Sequence, residues 1–321
     1  MLKNIEELFS VRETVSFIDV RSPSEFNKGH IPGAYNIPLF SDQLRALVGT
    51  IYVQEGKEKA IHVAMKHVAP HFTGLVDQAK EIYQKNNKTS VVYCARGGMR
   101  SGSVSWLFNL FQLPVIQLAR GYKGYRNWVL AQFLQKRALN LLCGKTGSGK
   151  TAFLHQLARE HQQIIDLEAL AKHKGSVFGG YKDQQATQQQ FENDLAWQWA
   201  QLDSVKLTWI EDESRKIGSV IIPEAVWAQM KEASTYLLST SLENRVKHIL
   251  REYGNLDKSF LLNALEKIES HLGSERYQKI KKLGVNEMKE AIKILLSYYD
   301  KKYEHGLKNK QAILLVNFKY F

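Results

Sequence analysis

The run Ala138-Leu139-Asn140-Leu141-Leu142-Cys143 leads without a spacer into Gly144-Lys145-Thr146-Gly147-Ser148-Gly149-Lys150-Thr151, and this junction constrains the fold more than any other feature. An apolar strand, a loop matching G-x-x-x-x-G-K-[ST] and a helical pattern over residues 151–160 follow one another. That order belongs to a parallel α/β sheet, where loop amides and a helix N-terminus point off the end of a strand. Gly144, Gly147 and Gly149 let the backbone wrap phosphate oxygens. Lys150 reaches terminal phosphates, and the Thr151 hydroxyl suits Mg²⁺. A supporting acid belongs at the end of a neighbouring strand. Glu211 and Asp212 follow Leu207-Thr208-Trp209-Ile210, and Asp166 and Glu168 follow Ile164-Ile165. Either pair serves equally well as a helix cap or salt bridge. Arg215 and Arg245 also follow strands, where they can neutralise phosphate or simply lie at the surface.

A second loop has the same logic around sulfur. Ser90-Val91-Val92-Tyr93 is an apolar strand that runs into Cys94-Ala95-Arg96-Gly97-Gly98-Met99-Arg100-Ser101, with a helical pattern from Ser101 to Phe111. A cysteine at a helix N-terminus meets backbone N–H groups and the positive end of the helix dipole. With Arg96 and Arg100 nearby, these favour the reactive thiolate. Cys94, Arg96 and Arg100 are therefore the candidate catalytic residues. The C-x5-R spacing also fits cysteine phosphatases, but that chemistry needs a positioned acid, and no residue identifies itself as one. Cys143, closing an apolar strand, reads as core.

Further apolar runs at 15–20, 113–118, 163–166, 206–210, 235–238 and 312–316 alternate with helical stretches. A chain of 321 residues exceeds what one core usually holds. Gly121-Tyr122-Lys123-Gly124-Tyr125-Arg126 breaks the alternation and residues 127–137 read as a connecting helix, which sets a boundary near 130. The expected organisation is residues 1–130 with a helical insert around 41–86, then 131–321 with a helical C-terminal portion. Phe191, Leu195, Trp199 and Leu202 form one helix face after a Gln-rich stretch. No secretory signal or membrane-spanning run is legible, which implies a cytoplasmic protein with reduced cysteines and no membrane partner. The net charge of +12 favours a polyanionic partner. The lysines at 279, 281, 282, 289, 293, 301, 302, 308 and 310 fit a solvated helix as readily as a nucleic-acid patch, because Glu287, Glu290, Asp300 and Glu304 lie among them.

Asp19-Val20-Arg21-Ser22-Pro23-Ser24-Glu25-Phe26, Gly29-His30-Ile31-Pro32-Gly33-Ala34 and Asn36-Ile37-Pro38 resemble the signatures of the rhodanese (sulfurtransferase) family, with Cys94 where the family carries its persulfide-forming cysteine. Asp19 would tie down its loop, Arg21 and Glu25 would form a structural pair, and His30 would be structural. A rhodanese-like parallel-sheet domain followed by a P-loop NTPase-like α/β domain resembles the tRNA 2-selenouridine synthase family. The segments Val48-Gly49-Thr50-Ile51-Tyr52, residues 121–126, Asp166–Ala171 with Gly175–Gly179, and residues 210–218 add to that resemblance. It implies a transferase acting on an anticodon stem-loop with 2-thiouridine at the wobble position. The sulfur is geranylated with geranyl diphosphate and then replaced by selenium from selenophosphate, with no tightly bound cofactor or resident metal and with Mg²⁺ as a candidate counter-ion. Phe191, Trp197 and Trp199 are large apolar candidates for lining a geranyl channel, core packing being the alternative. A rhodanese-type sulfurtransferase fused to an ATP-binding kinase-like domain, or a nucleotide-regulated RNA-binding protein with a vestigial rhodanese fold, would read similarly.

Overall fold

The computed structural model describes residues 1–173, 184–253, 272–282, 288–307 and 313–317. The expectations placed on Gly175–Gly179, Glu287, Lys308 and Lys310 lie outside these. The chain forms two units, Met1–Gln132 with Glu192–Trp197, and Phe133–Phe191 with Gln198–Phe321.

The first unit is built on strands β1 (Leu2–Lys3), β2 (Val15–Asp19), β3 (Tyr35–Asn36), β4 (Thr89–Tyr93) and β5 (Val115–Leu118), in the order β1-β5-β4-β2-β3. All the pairings are parallel. Parallel strands covered on both faces need uninterrupted apolar sequence, and all of Val15–Asp19 is buried. Helices α1 (Ile5–Ser10), α2 (Pro23–Lys28), α3 (Asp42–Gln54), α4 (Lys57–Val68), α5 (Phe72–Asn86), α6 (Met99–Leu110) and α7 (Gly121–Gln132) accompany the sheet. The core joins Ile18, Val20, Val92, Val104, Leu107 and Phe108 to Val68, Leu75 and Val76 of the insert helices.

One expectation fails here. Residues 121–126 do not break the pattern but form the first turns of α7, which ends at Gln132 rather than running to 137. Tyr122, Tyr125, Trp128, Val129 and Gln132 are buried along one face. That burial outweighs the cost of about 1 kcal/mol for an interior glycine such as Gly124.

The second unit contains β6 (Leu139–Cys143), β7 (Gln163–Ile165), β8 (Thr208–Glu211), the ribbon strands β9 (Lys216–Ile217) and β10 (Val220–Ile221), β11 (Ser234–Ser239) and β12 (Ile313–Asn317). Its main sheet has the order β12-β11-β6-β8-β7, again wholly parallel. The glycine-rich loop therefore leaves an interior strand, flanked by β8 with its acidic end and by β11. Helices α8 (Lys150–Arg159), α9 (Leu167–Ala171), α10 (Gln188–Trp199, of which Glu192–Trp197 belong to the first unit), α11 (Glu224–Glu232), α12 (Leu242–Tyr253), α13 (Ser274–Lys282) and α14 (Met288–Leu307) follow the chain, and α12 to α14 supply the expected helical C-terminal portion. In α10, Phe191, Leu195 and Trp199 are fully buried, while Leu202 lies beyond the helix end. Trp197 meets Phe9 edge-on with ring centroids 4.9 Å apart and lies 6.1 Å from Trp128. Phe191 and Trp199 thus pack in the core, and Trp197 is half-buried among aromatic rings.

Candidate active site

The rhodanese-like signature residues build the floor of the sulfur site. Asp19 ends β2 and accepts hydrogen bonds from the Arg21 backbone N–H at 2.9 Å and from its guanidinium at 3.0 Å. Arg21 also donates to the Gly29 carbonyl at 2.7 Å and lies 3.7 Å from the ring centre of Tyr122. The expected Arg21–Glu25 pair does not form. Arg21 is only two residues from Asp19 and is buried with it, whereas Glu25 points to Arg100 Nη1 at 2.7 Å and Arg45 Nε at 3.6 Å. Burial would raise the Glu25 pKa, but the Arg100 contact outweighs it and holds the carboxyl below its usual range. His30 stacks on Phe26 with centroids 3.8 Å apart, and its Nδ1 lies 3.0 Å from the Phe26 carbonyl, a structural placement.

Cys94 follows β4 directly and is 3% exposed, packed on one side into the apolar core. On the other side a cup of donors surrounds Sγ. The Ser101 hydroxyl lies 3.3 Å away, and the backbone N–H groups of Arg96, Gly98 and Ser101 point toward the sulfur. Burial would raise the thiol pKa, yet these hydrogen bonds more than offset it and bring the pKa below the ordinary value, as expected where donors stabilise a thiolate. Gln117 Nε2 fastens the cup by donating to the Gly97 carbonyl and the Ser101 hydroxyl, both at 3.0 Å.

Two glycines make the cup geometrically feasible. Gly97 has φ +66° and Gly121 φ +53°. A Cβ on Gly121 would stand 2.3 Å from both the Cys94 carbonyl and the Gly97 nitrogen. Arg96 is exposed and makes no ion pair among the described residues, so it is the freer of the two expected arginines, Arg100 being held by Glu25.

The phosphate loop lies between β6 and α8. Gly147 and Gly149 adopt φ +75° and +86°. A Cβ on Gly144 would stand 2.3 Å from Ser148 Oγ, so a larger residue there would have to displace the Ser148 side chain. The Lys145 carbonyl accepts from the Ser148 N–H at 2.9 Å, and Lys145 Nζ lies 3.8 Å from Asp300. Arg245 donates to the Thr146 carbonyl at 2.9 Å and pairs with Asp300 at 2.7 Å. It therefore braces the loop from behind. Arg215 pairs with Glu224 at 2.5 Å.

Acids crowd the front of this loop. Thr151 Oγ1 donates to Glu211 Oε1 at 2.8 Å and lies 3.5 Å from Glu168 Oε2. Lys150 Nζ reaches the Gly144 carbonyl at 3.2 Å and Glu213 at 4.0 Å. Burial would lower the Lys150 pKa, but Glu213, Glu211, Glu168 and Asp212 outweigh it and raise it. Glu211 is fully buried and is pushed well above the carboxylate range, by burial first and then by Glu168 and Asp166. Its Oε2 has no hydrogen-bond partner among the described residues. Burial likewise lifts Glu213 to about 7 against the opposing pull of Lys150. Asp166 caps α9 through the Ala169 N–H at 2.8 Å and lies 2.7 Å from His155 Nε2. Cys143 Sγ donates to Asp212 at 3.0 Å.

Sequence reasoning missed Ser101, Gln117 and Glu213. Ser101 had a usable signal, a hydroxyl in the first turn of the helix that follows the cysteine. Glu213 is the third acid of Glu211-Asp212-Glu213 and could have been named with the other two. Gln117 comes from a neighbouring strand and carries no local signal.

Residues 137–319 match the family model described as the tRNA 2-selenouridine synthase AAA domain, and residues 3–129 match the rhodanese-like domain. The chain is 32% identical to the tRNA 2-selenouridine synthase of Marinobacter nauticus, with 94% of this chain and 91% of that protein covered. It is 36% identical to the protein of the same description from Shewanella denitrificans, covering 93% and 90%, and 34% identical to that from Pseudomonas putida strain W619, covering 91% and 89%.

Proposed function

The chain belongs to the tRNA 2-selenouridine synthase family, and from that premise we propose that it converts wobble 2-thiouridine in tRNA to 2-selenouridine through an S-geranyl intermediate. The observation that carries this reading is the coexistence of a thiol cradled by hydrogen-bond donors with a phosphate-binding loop whose Lys150 and Thr151 face an acidic shell.

In the first step, the thiocarbonyl sulfur attacks C1 of the geranyl group, a C–S bond forms, the C–O bond breaks and diphosphate leaves, while N3 of the nucleoside gives up its proton to water as the C2–N3 double bond forms. The amides of Gly144–Thr151 and the Lys150 ammonium hold the charge that builds on the departing diphosphate. Mg²⁺, when bound, adds further neutralisation there. Thr151 and Glu211 are the residues that would hold it, and the unpaired Glu211 Oε2 fits that role. Among the described residues no group of three His, Cys, Asp or Glu forms a ready-made metal cage. Asp166 and Glu168 add negative potential, while Asp212 accepts from Cys143.

In the second step, the selenium of selenophosphate adds to C2 of the nucleoside, the C–S bond breaks, and the geranyl thiolate leaves and takes up a proton. Water then cleaves the Se–P bond and releases phosphate. Cys94 takes part in this transfer, with the amides of its cup, Arg96 and Arg100 stabilising the anion. Alkylation makes the step feasible, because a thioether sulfur departs from carbon as a thiolate whereas a thiocarbonyl sulfur does not. The charge of +12 suits the phosphates of an anticodon stem-loop.

The test is nucleoside mass spectrometry of 2-thiouridine-containing tRNA incubated with the purified protein, first with geranyl diphosphate and then with selenophosphate. S-geranyl-2-thiouridine followed by 2-selenouridine is expected. Rapid cyanide-dependent sulfur release without any S-geranyl product would instead identify a sulfurtransferase.

A further inference from the structure

Helices α3 and α4 and the first turn of α6 line a cavity of about 850 Å³ within the first unit. Its walls are mostly hydrocarbon, with Val48, Ala64, Met65 and Phe72 among them, and its charged lining residues are Arg45 and Arg100. The run Val48-Gly49-Thr50-Ile51-Tyr52, which a minimal rhodanese domain does not need, supplies four of the lining residues, at 48, 49, 50 and 52. Gly49 lies against the Arg45 guanidinium, whose Nη1 a Cβ there would meet at 2.7 Å. Tyr52, Ile61 and Met65 expose 49%, 42% and 45% of their surface.

The cavity shares an element with the sulfur site. Met99 and Arg100 line it, and the next residue, Ser101, presents its hydroxyl to Cys94 Sγ. Val48, Ala64 and Phe72 pack against the same apolar cluster that includes Cys94.

We propose that this cavity holds the geranyl chain of the S-geranylated nucleoside while its C2–S bond stands at the Cys94 cup. The assignment rests on the two-step reading above. The occupant leaves with the sulfur, so the cavity binds the leaving group. Its volume falls in the range of small-ligand sites, roughly 300–1,000 Å³. Its apolar wall offers few hydrogen bonds and discriminates by shape. Arg45 and Arg100 share a single carboxylate, Glu25, which leaves one positive charge of the trio to complement the anions that flank the reacting carbon.

The experiment uses the full chain, selenophosphate and synthetic anticodon stem-loops carrying S-dimethylallyl-, S-geranyl- or S-farnesyl-2-thiouridine, with 2-selenouridine formation as the readout. The natural protein is expected to favour geranyl. Ala64→Phe fills the cavity and should lower the geranyl-to-dimethylallyl ratio of kcat/KM by about tenfold or more, and Phe72→Ala enlarges it and should raise the farnesyl-to-geranyl ratio. Ratios measured within one protein, moving in opposite directions in two variants, do not arise from partial unfolding. Unchanged ratios in both variants overturn the proposal, including the case in which another protein or a second copy of this chain covers the helices. If the natural protein converts none of the three RNAs, the two-step reading falls and the cavity assignment falls with it.

Discussion

The two loops are alike in backbone and opposite in electrostatics. Each leaves the end of an interior parallel strand and runs into a helix N-terminus, and each relies on glycines at positive φ. Around Cys94 the shell is made of donors that already have something to hold, namely the sulfur. Around Lys150 the shell is made of acids that outnumber the ammonium, and one buried oxygen of Glu211 is left without a partner among the described residues. The same backbone device therefore serves two purposes. The first loop carries its own anion, while the second waits for an anion and a cation together.

The steepest way to break this comparison is at the glycine contact that closes the sulfur cup. Gly121→Ala should cost on the order of 3 kcal/mol, because its Cβ would overlap the Cys94 carbonyl while φ stays positive. Denaturant unfolding should show the loss, and an adjacent change at the open Gly98, where a Cβ meets nothing within 4 Å, should cost far less.

The acidic shell makes the next prediction. Glu213 has a pKa raised from 4.5 to about 7 in the folded protein, so its contribution to stability is complete below pH 4.5 and is lost as pH rises through 7. Without ligand, Glu213→Gln should therefore raise Tm at pH 8 and make little difference at pH 4.5. The gain at high pH should be at most about 3 kcal/mol. Equal Tm differences at both pH values would remove the frustrated-acid description of this loop.

The smallest effect concerns the sulfur. Ser101→Ala removes a hydrogen bond that favours the thiolate, so the pKa of Cys94 should rise. The rate of iodoacetamide alkylation at pH 7 should fall about two- to tenfold, the worth of a single hydrogen bond. No change would mean that the amides alone hold the sulfur.

Much of this comparison is legible in the residues before any coordinates. Buried parallel strands such as Val15–Asp19 and Leu139–Cys143 announce themselves as unbroken apolar runs, and both loops carry their chemistry in consecutive residues. The two-residue edge strands Leu2–Lys3 and Tyr35–Asn36 are too short to leave a pattern. Helix α7 is hidden by its glycines, since local propensity and burial point in opposite directions there. Arg21 and Glu25 sit four residues apart across the start of α2 and look like partners, yet each finds a nearer charge in three dimensions. The support from Gln117, and the cavity that α3 and α4 form with Met99 and Arg100 of α6, arise from packing between distant segments, which periodicity cannot express.

The division of labour between the loops is tested most directly by nucleoside mass spectrometry on Cys94→Ser and Lys150→Ala, each given 2-thiouridine tRNA, geranyl diphosphate and selenophosphate. Lys150→Ala should yield no S-geranyl product, and Cys94→Ser should accumulate S-geranyl-2-thiouridine without 2-selenouridine. Failure of both variants at the same step would contradict the assignment of one chemical task to each loop.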